Sequence, residues 1–196
     1  NLIVCDKGPG SFTGIRIGIG TVLAFQDSLN IPCIGISSLK ALAYNIKQDG
    51  IICSIIDAKN NNVYLGLFKL ENNEYTQLDD LEFKTIDETI IKLKTFNSPI
   101  TFVGDGATTH QNLLKTNFAN SLFATENELS SYSLGIAGLN AYKKGVQTSL
   151  MPLYLRKSQA ERALEEKSQK EWLNGNLHND FTRFRTNEKY VIFWFW

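Results

Sequence analysis

The sequence has very little histidine and little cysteine. Its 196 residues include two histidines, His110 and His178, and three cysteines. The histidines are far apart and form neither the HxxxH nor the HExxH spacing of zinc-binding helices, which argues against a metal site and a metallopeptidase. Because Cys5, Cys33 and Cys53 include no CxxC pair and lie in apolar surroundings, we expect buried free thiols, as in a reducing cytoplasm.

Net charge and long apolar runs are also missing. Twenty basic residues balance twenty acidic ones. A chain that holds nucleic acid by itself usually presents a basic face, so this composition argues against such binding by the chain alone. No run approaches the roughly 20 apolar residues of a membrane span, and the first residues lack the basic segment of a signal peptide. We therefore expect a folded cytoplasmic protein without a membrane contact.

Motifs for common catalytic sites are absent. The sequence contains no GxxxxGK[ST] phosphate loop and no GxSxG nucleophile elbow. Ser11 has no histidine near it in the sequence, and Cys53 lies within an apolar run typical of an inert core thiol. The sequence therefore gives little support to nucleophilic catalysis.

Apolar runs and helical patterns alternate along the chain. The pattern predicts strands at NLIVC, IPCIGI, IICSIIDA, VYLGLFKL, PITFV and SLFAT. It predicts helices over Phe12–Leu29 and at SSLKALAYNIKQDG, IDETIIKLKTF, ATTHQNLLKTNF and SSYSLGIAGLNAYKKG. Such alternation, with a hairpin at KNNN, indicates an α/β protein whose mixed sheet is flanked by helices.

The most informative stretch is KGPGSFTGIRIGIG, residues 7–20. A strand, a glycine turn and a helix N-terminus together can bind an anion, with Ser11 or Thr13 as the cap. The alternative is packing, because Gly14, Gly18 and Thr21 form a line of small residues that lets another helix approach closely. We favour packing and keep phosphate binding as the alternative.

Isoleucines lie beside this small-residue line. Ile15, Ile19, Val22 and Leu29 recur at helical spacing and indicate a buried stripe. Arg16 is either an ion-pair partner at an interface or a solvated charge.

Two aspartates follow predicted strands. Asp57 ends IICSIID, and Asp105 lies between Gly104 and Gly106. Carboxylates at strand ends of α/β folds often face a ligand crevice, which would suit a Mg-nucleotide. The alternative is that each binds the backbone of its own turn.

Five segments together resemble the TsaB family of the tRNA threonylcarbamoyladenosine machinery. They are GPGSFTGIRIGIGTVLAF, ISSLKALA, SIIDAKNNNVYLGLF, FVGDGA and PLYLRKSQAER, which occur in the family order between residue 1 and about residue 166. The resemblance implies the actin-like, ribonuclease-H-like ATPase (ASKHA) fold with two lobes. It also implies that about a third of a family member precedes Asn1, so that the first lobe is incomplete.

On this resemblance we divide the chain into three parts. Residues 1–36 are the remnant of the first lobe, with the GPGSFTG turn and the interface helix. Residues 37–166 are the second lobe. Residues 167–196, which end in VIFWFW, form a tail outside the family pattern.

The resemblance implies a non-catalytic scaffold subunit. It would pair with TsaD, its catalytic paralogue, and with TsaE, to place a threonylcarbamoyl group on N6 of adenosine 37 in tRNA; a homodimer is the alternative pairing. ATP and Mg²⁺ would serve the complex, and tRNA would bind only through it. The implied interface residues are Gly10, Ser11, Phe12, Thr13, Gly14, Arg16 and Gly18. A competing hypothesis is an ATP-binding phosphotransferase or hydrolase of the same superfamily.

Overall fold

Strands and helices alternate along residues 1–146, 148–156 and 167, which this computed structural model describes. The strands are β1 (Ile3–Asp6), β2 (Cys33–Ile36), β3 (Gly50–Asp57), β4 (Asn62–Glu71), β5 (Glu74–Gln77), β6 (Glu82–Thr85), β7 (Ile100–Val103) and β8 (Leu122–Phe123). The helices are α1 (Phe12–Leu29), α2 (Ser38–Ala43), α3 (Ile86–Leu93), α4 (Asp105–Thr109), α5 (Gln111–Asn117) and α6 (Ser131–Lys143). Residues 1–156 form one unit, and the fold below is that of this unit.

The strands form two sheets. β1 and β2 pair in parallel, with Cys5 opposite Gly35. The larger sheet has the order β5-β4-β3-β7-β8, and β6 also pairs with β4. Its β3–β4 pair is antiparallel, whereas β3–β7 and β7–β8 are parallel. The predicted mixed sheet flanked by helices is therefore confirmed.

Asparagine-rich turns set the register of the antiparallel strands. Lys59, Asn60 and Asn61 have φ values of 65°, 53° and 58° between β3 and β4. Asn72 and Asn73, between β4 and β5, have φ values of 52° and 62°. Two consecutive residues of positive φ are the pattern of a type I′ hairpin turn, and asparagine tolerates that conformation better than most residues.

Helices cover both faces of the larger sheet. On one face, Cys53 and Ile55 of β3 join a buried cluster with residues of α3, α4 and α5. On the other face, Ile52 and Phe68 pack against Leu39 and Leu42 of α2. The alternation follows from the strand geometry, since successive side chains point to opposite faces.

Helix α2 also contacts the smaller sheet. Ala41 and Tyr44 pack with Ile34 and Ile36 of β2 and with α6. On β1, Val4 faces α6, and a Cβ at Gly138 of that helix would collide with it. The next residue, Cys5, packs against α1 on the opposite face. The smaller sheet is thus layered between α1 and α6.

Some predicted boundaries are wrong. The helix at SSLKALAYNIKQDG ends at Ala43, because Asn45 turns away and donates to the carbonyl oxygens of Glu126 and Glu128 at 3.1 and 2.9 Å. Gly50, the last residue of that predicted helix, instead opens β3 with φ of 144°. These tertiary contacts override local helix propensity.

Other elements also differ from expectation. The helix predicted at ATTHQNLLKTNF is divided at His110 into α4 and α5. The short strands β5 and β6 were not predicted. The VIFWFW end and His178 lie outside the described residues, and the division at residues 36 and 166 stays a prediction. Within the described chain, no helix combines the length and apolar character needed to cross a membrane.

Candidate partner-binding surface

The glycine-rich turn after β1 is tightly packed. Gly8 has φ of 98°, and the Gly8–Pro9 peptide bond is cis. A Cβ at Gly8 would lie 2.7 Å from Ile15 Cδ1 and 3.2 Å from the carbonyl oxygen of Leu153. Both the backbone conformation and the lack of space therefore require glycine here.

Asp6 and Ser38 hold this turn against α2. The Gly8 N–H donates to Asp6 Oδ1 at 2.9 Å, and the Ser38 N–H donates to the Gly8 carbonyl at 2.9 Å. Ser38 Oγ lies 2.8 and 2.9 Å from the two Asp6 oxygens and 2.9 Å from the Pro9 carbonyl oxygen. Burial raises the pKa of Asp6, although hydrogen bonds from Gly8 and Ser38 oppose it.

Helix α1 begins directly after the turn. Of the two predicted caps, Ser11 is the N-cap: its Oγ accepts from the Gly14 N–H at 3.3 Å. Thr13 lies within the first turn of the helix. A hydroxyl that caps a helix is a known stabilising device, so Ser11 has a structural role whether or not an anion binds.

The isoleucine stripe of α1 faces the protein. Ile15 and Ile19 are buried against Cys5, and Val22 packs beside them. Leu29, at the same spacing, is 58% exposed. The stripe therefore runs from Ile15 to Val22, and the prediction that Leu29 belongs to it is wrong.

The opposite side of α1 is small and apolar, and it is exposed. A Cβ at Gly18 would meet nothing within 4 Å in the described chain. Ile17 and Phe25 are 65% and 49% exposed. At 3.6 residues per turn these positions lie within roughly a third of the helix circumference. We call this surface, made by Gly14, Ile17, Gly18, Thr21 and Phe25, the outer face of α1.

Arg16 is exposed and contacts two aromatic rings of its own chain, and its ion pair across an interface stays a prediction. Its Nε donates to Tyr154 Oη at 2.7 Å, and its guanidinium lies 3.9 Å from the centre of the Phe12 ring. The Phe12 and Tyr154 rings stack with centroids 4.9 Å apart. We call Phe12, Arg16 and Tyr154 the aromatic clamp. Sequence reasoning missed Tyr154, because 138 positions separate it from Arg16.

The seven predicted interface residues therefore do not share one side of the helix. Gly14 and Gly18 belong to the outer face, whereas Phe12 and Arg16 point to the clamp on a different side. Six of the seven are exposed and Gly18 is half-buried. The interface role of Gly10, Ser11, Phe12, Thr13, Gly14, Arg16 and Gly18 stays a prediction.

The two strand-end aspartates lie together. Asp105 Oδ1 accepts from the Asp57 N–H at 3.1 Å, because β3 and β7 are parallel neighbours. Asp57 also binds its own turn, accepting from the N–H and Nζ of Lys59 at 2.9 and 2.8 Å. Burial acts to raise the pKa of Asp57, but the hydrogen bonds from Lys59 outweigh it and hold the pKa below 3.8. The turn interpretation of Asp57 is therefore confirmed, and the crevice interpretation stays open beside it.

The remaining candidate side chains are those of His110 and Cys53. His110 lies at the α4–α5 junction, and its Nε2 is buried with no hydrogen-bond partner in the part of the chain described. Burial raises the pKa of the Cys53 thiol far above its ordinary value, so the predicted inert core position is confirmed. Among the described residues, no group of histidine, cysteine and acidic side chains could hold a metal ion.

The chain is similar to proteins of a known family. The family model for "TsaD: tRNA N6-adenosine threonylcarbamoyltransferase" matches residues 1–164. The TsaB protein of Bacillus subtilis is 32% identical over 162 residues, which is 81% of this chain and 71% of that protein. The TsaB of Haemophilus influenzae is 29% identical over 163 residues, 76% of this chain and 67% of that one. The TsaB of Buchnera aphidicola from Schizaphis graminum is 38% identical, and the match covers 52% of its length.

Solved structures show the same fold. YeaZ from Pseudomonas aeruginosa superposes with a TM-score of 0.66 at 21% identity, over 79% of this chain and 74% of that one. A second structure from that organism, described as an uncharacterised protein similar to peptidase YEAZ, gives a TM-score of 0.65 at 22% identity, over 79% and 73% of the two chains. These likenesses, with the mixed sheet between helices, confirm the actin-like, ASKHA-type fold expected from the sequence. On the family model and the Bacillus subtilis relative together, the chain belongs to the TsaB family.

Proposed function

We propose that this protein takes part in the synthesis of N6-threonylcarbamoyladenosine in tRNA, as a subunit that holds a catalytic partner in place. The relatives from Bacillus subtilis, Buchnera aphidicola and Haemophilus influenzae are each named tRNA threonylcarbamoyladenosine biosynthesis protein TsaB. Their shared name supports the process to which we assign this chain.

The outer face of α1 is the observation that carries the docking role. Its apolar side chains are exposed while the other side of the helix packs on β1, and a Cβ at Gly18 would meet nothing within 4 Å in the described chain. Small residues on an exposed helix let a second helix approach closely. We propose a TsaD-type protein as the partner, because the TsaD family model matches this chain and two similar helices can pair about a near two-fold axis.

The catalytic chemistry is assigned to the partner. Asp57 is engaged by Lys59, Asp105 binds the Asp57 backbone, Ser11 caps α1 and Cys53 is buried. In this proposal ATP, Mg²⁺ and TsaE serve the complex, and tRNA reaches this subunit only through it. The balanced charge of the chain agrees with that arrangement.

The cytoplasm is the compartment that fits this role. Cys5, Cys33 and Cys53 are free thiols in the structure. Free thiols persist where glutathione keeps proteins reduced, and tRNA modification requires access to cytoplasmic tRNA.

One observation favours a second candidate, a nucleotide-binding enzyme of the same superfamily. Asp57 and Asp105 meet at the carboxyl ends of neighbouring parallel strands beside Gly104, which has φ of 111°. Ligands of open α/β sheets bind at such edges. Calorimetry with ATP and Mg²⁺ on the isolated protein separates the two functions: we expect no saturable heat, and binding in the micromolar range lost in Asp105→Asn would favour the enzyme.

A substitution on the outer face tests the docking role. We expect Gly18→Leu to weaken association with the TsaD of the same organism at least tenfold, because the new side chain holds the two helix backbones apart. Association is measured by analytical ultracentrifugation and by co-purification. Ultracentrifugation of Gly18→Leu without TsaD also tests the alternative homodimer, which this substitution should dissociate.

Gly20→Leu is the matched control. A Cβ at Gly20 also meets nothing within 4 Å, but two residues along a helix turn it to a different side. Both substitutions remove a helix glycine and stabilise α1 by up to about 1 kcal/mol, so they differ only in the face that they block. Equal affinity of the Gly18→Leu and Gly20→Leu variants for TsaD would contradict the proposal.

A further inference from the structure

A cleft of about 510 Å³ lies beside β2, away from the outer face of α1. Its walls come from residues 35–40, from the 77–81 region after β5 and from the extended segment 148–155. Pockets that hold small molecules usually measure about 300–1,000 Å³, so the volume suits a metabolite.

Backbone hydrogen bonds fix the extended wall of the cleft. The Gly35 N–H donates to Thr148 Oγ1 at 2.8 Å, and the Leu153 N–H donates to the Lys7 carbonyl at 2.7 Å. A Cβ at Gly35 would lie 2.8 Å from the Ser149 carbonyl oxygen, which shows how closely the segment approaches β2. The cleft is therefore preformed, and binding would not require ordering of this wall.

Two ammonium groups line the cleft, and neither has a charged partner among the described residues. Lys7 and Lys40 are both half-buried, and neither forms an ion pair with another described residue. Burial lowers the pKa of Lys40, and the positive charges of Lys144 and Lys7 lower it further. Lys144 is itself neutralised by Glu74. A buried charge without a counter-ion is costly, so an anion in the cleft would relieve that cost.

Two hydroxyl groups in the lining still have a hydrogen to donate. Ser37 Oγ accepts from the Lys40 N–H at 3.2 Å, and Thr148 Oγ1 accepts from Gly35. Neither hydroxyl donates to another described residue. Each has one hydrogen and accepts through a lone pair, so the hydrogen remains available to an anion.

We propose that this cleft binds a small organic anion, in which a carboxylate or phosphate group is carried on an apolar body. The anionic group would contact Lys7 and Lys40, while Ile36, Leu153 and Leu155 would contact the apolar part. Asp80 is the single carboxylate of the lining, against two ammonium groups, so the cleft keeps an excess of positive charge. The inference does not rest on the docking role of α1.

Titration of the purified chain with two probes tests the site. Phenyl phosphate and benzoate each carry an anion on an apolar ring, and benzyl alcohol is the neutral counterpart. At low ionic strength we expect saturable binding of at least one anion by calorimetry, and none of benzyl alcohol. Phosphate and carboxylate are distinguished by which probe binds more tightly.

Variants locate the binding. We expect Lys40→Met and Lys7→Met each to weaken it at least fivefold, while Lys94→Met, on the exposed end of α3, leaves it unchanged. Thermal unfolding of each variant shows that the fold is intact, and loss of an unpaired ammonium should not lower the stability of Lys40→Met. Absence of saturable anion binding, or equal loss in Lys94→Met and Lys40→Met, would overturn the proposal.

Discussion

Asp6 lies at the centre of the contacts that fix the glycine-rich turn. Ser38 Oγ has a single hydrogen and faces three acceptors, namely both Asp6 oxygens and the Pro9 carbonyl. If Asp6 is protonated, its O–H can donate to Ser38 Oγ, and Ser38 can then donate to Pro9. The protonated acid thus has a hydrogen-bond partner of its own in this turn. Burial, which outweighs the opposing hydrogen bonds from Gly8 and Ser38, raises the pKa of Asp6.

This arrangement predicts how stability depends on pH. Because the folded-state pKa lies above the ordinary value of 3.8, the contribution of Asp6 is fully present below pH 3.8 and is lost as the pH rises through the folded-state pKa. Asn at position 6 supplies the donor of the protonated acid at every pH. We therefore expect the free energy of unfolding of Asp6→Asn to gain on that of the wild type as the pH rises through this window, measured by urea unfolding.

The exposed Asp27 of α1 provides the control. Asp27→Asn makes the same substitution at an exposed position of α1, so it controls for the loss of one negative charge. A free energy of unfolding of Asp6→Asn that falls relative to that of the wild type as the pH rises would show that the carboxylate form stabilises the turn.

At the scale of elements, α2 joins the two sheets. Leu39 and Leu42 pack on the larger sheet, while Ala41 and Tyr44 pack on β2 and α6. A helix of six residues has little stability of its own, so both packing surfaces are needed to keep it folded.

Shortening one buried side chain of α2 should therefore affect the whole fold. We expect Leu42→Ala to lower the free energy of unfolding by about 2–5 kcal/mol, because Leu42 is only 2% exposed and the change leaves a cavity. We also expect a single unfolding transition in urea, followed by far-UV circular dichroism.

Leu23→Ala makes the same substitution at a side chain of α1 that is 41% exposed, and its cost should be under about 1 kcal/mol. Two separate transitions in Leu42→Ala would show that the sheets fold independently and that α2 does not couple them.

Elements with a strong local signal could be predicted from the sequence. Helix α1 has the predicted bounds, because its isoleucine spacing and the Ser11 cap agree. The turns around Asn60 and Asn72 follow from the preference of asparagine for positive φ. The end of α2 could not be predicted, since it depends on carbonyl groups 81 and 83 positions from Asn45.

Some parts of the candidate sites could likewise be predicted from the sequence, and other parts could not. The small residues of the α1 outer face, Gly14, Gly18 and Thr21, could be listed from their spacing, whereas the exposure of Ile17 and Phe25 depends on what packs against the helix. The aromatic clamp and the cleft beside β2 join residues from opposite ends of the described chain. For Asp6, one local signal was available: an aspartate two positions before a glycine often accepts the N–H of that glycine.

For the whole molecule, contacts between distant segments decide the arrangement around β1. This strand lies between α1, from the beginning of the chain, and α6, which starts at Ser131. The segment 148–155 then closes over β2 and the glycine turn. Contacts between residues far apart in the sequence therefore complete the region that carries the outer face of α1 and the cleft beside β2.

The aromatic clamp has a consequence for synthesis on the ribosome. Arg16 emerges 138 residues before Tyr154, which at about 5–20 residues per second is a delay of roughly seven to thirty seconds. During that interval the nascent helix exposes Phe12, Ile17 and Phe25 with no clamp in place. Chaperones that recognise apolar helices, or a partner protein already present in the cell, would therefore have access to α1 before Tyr154 can contact it.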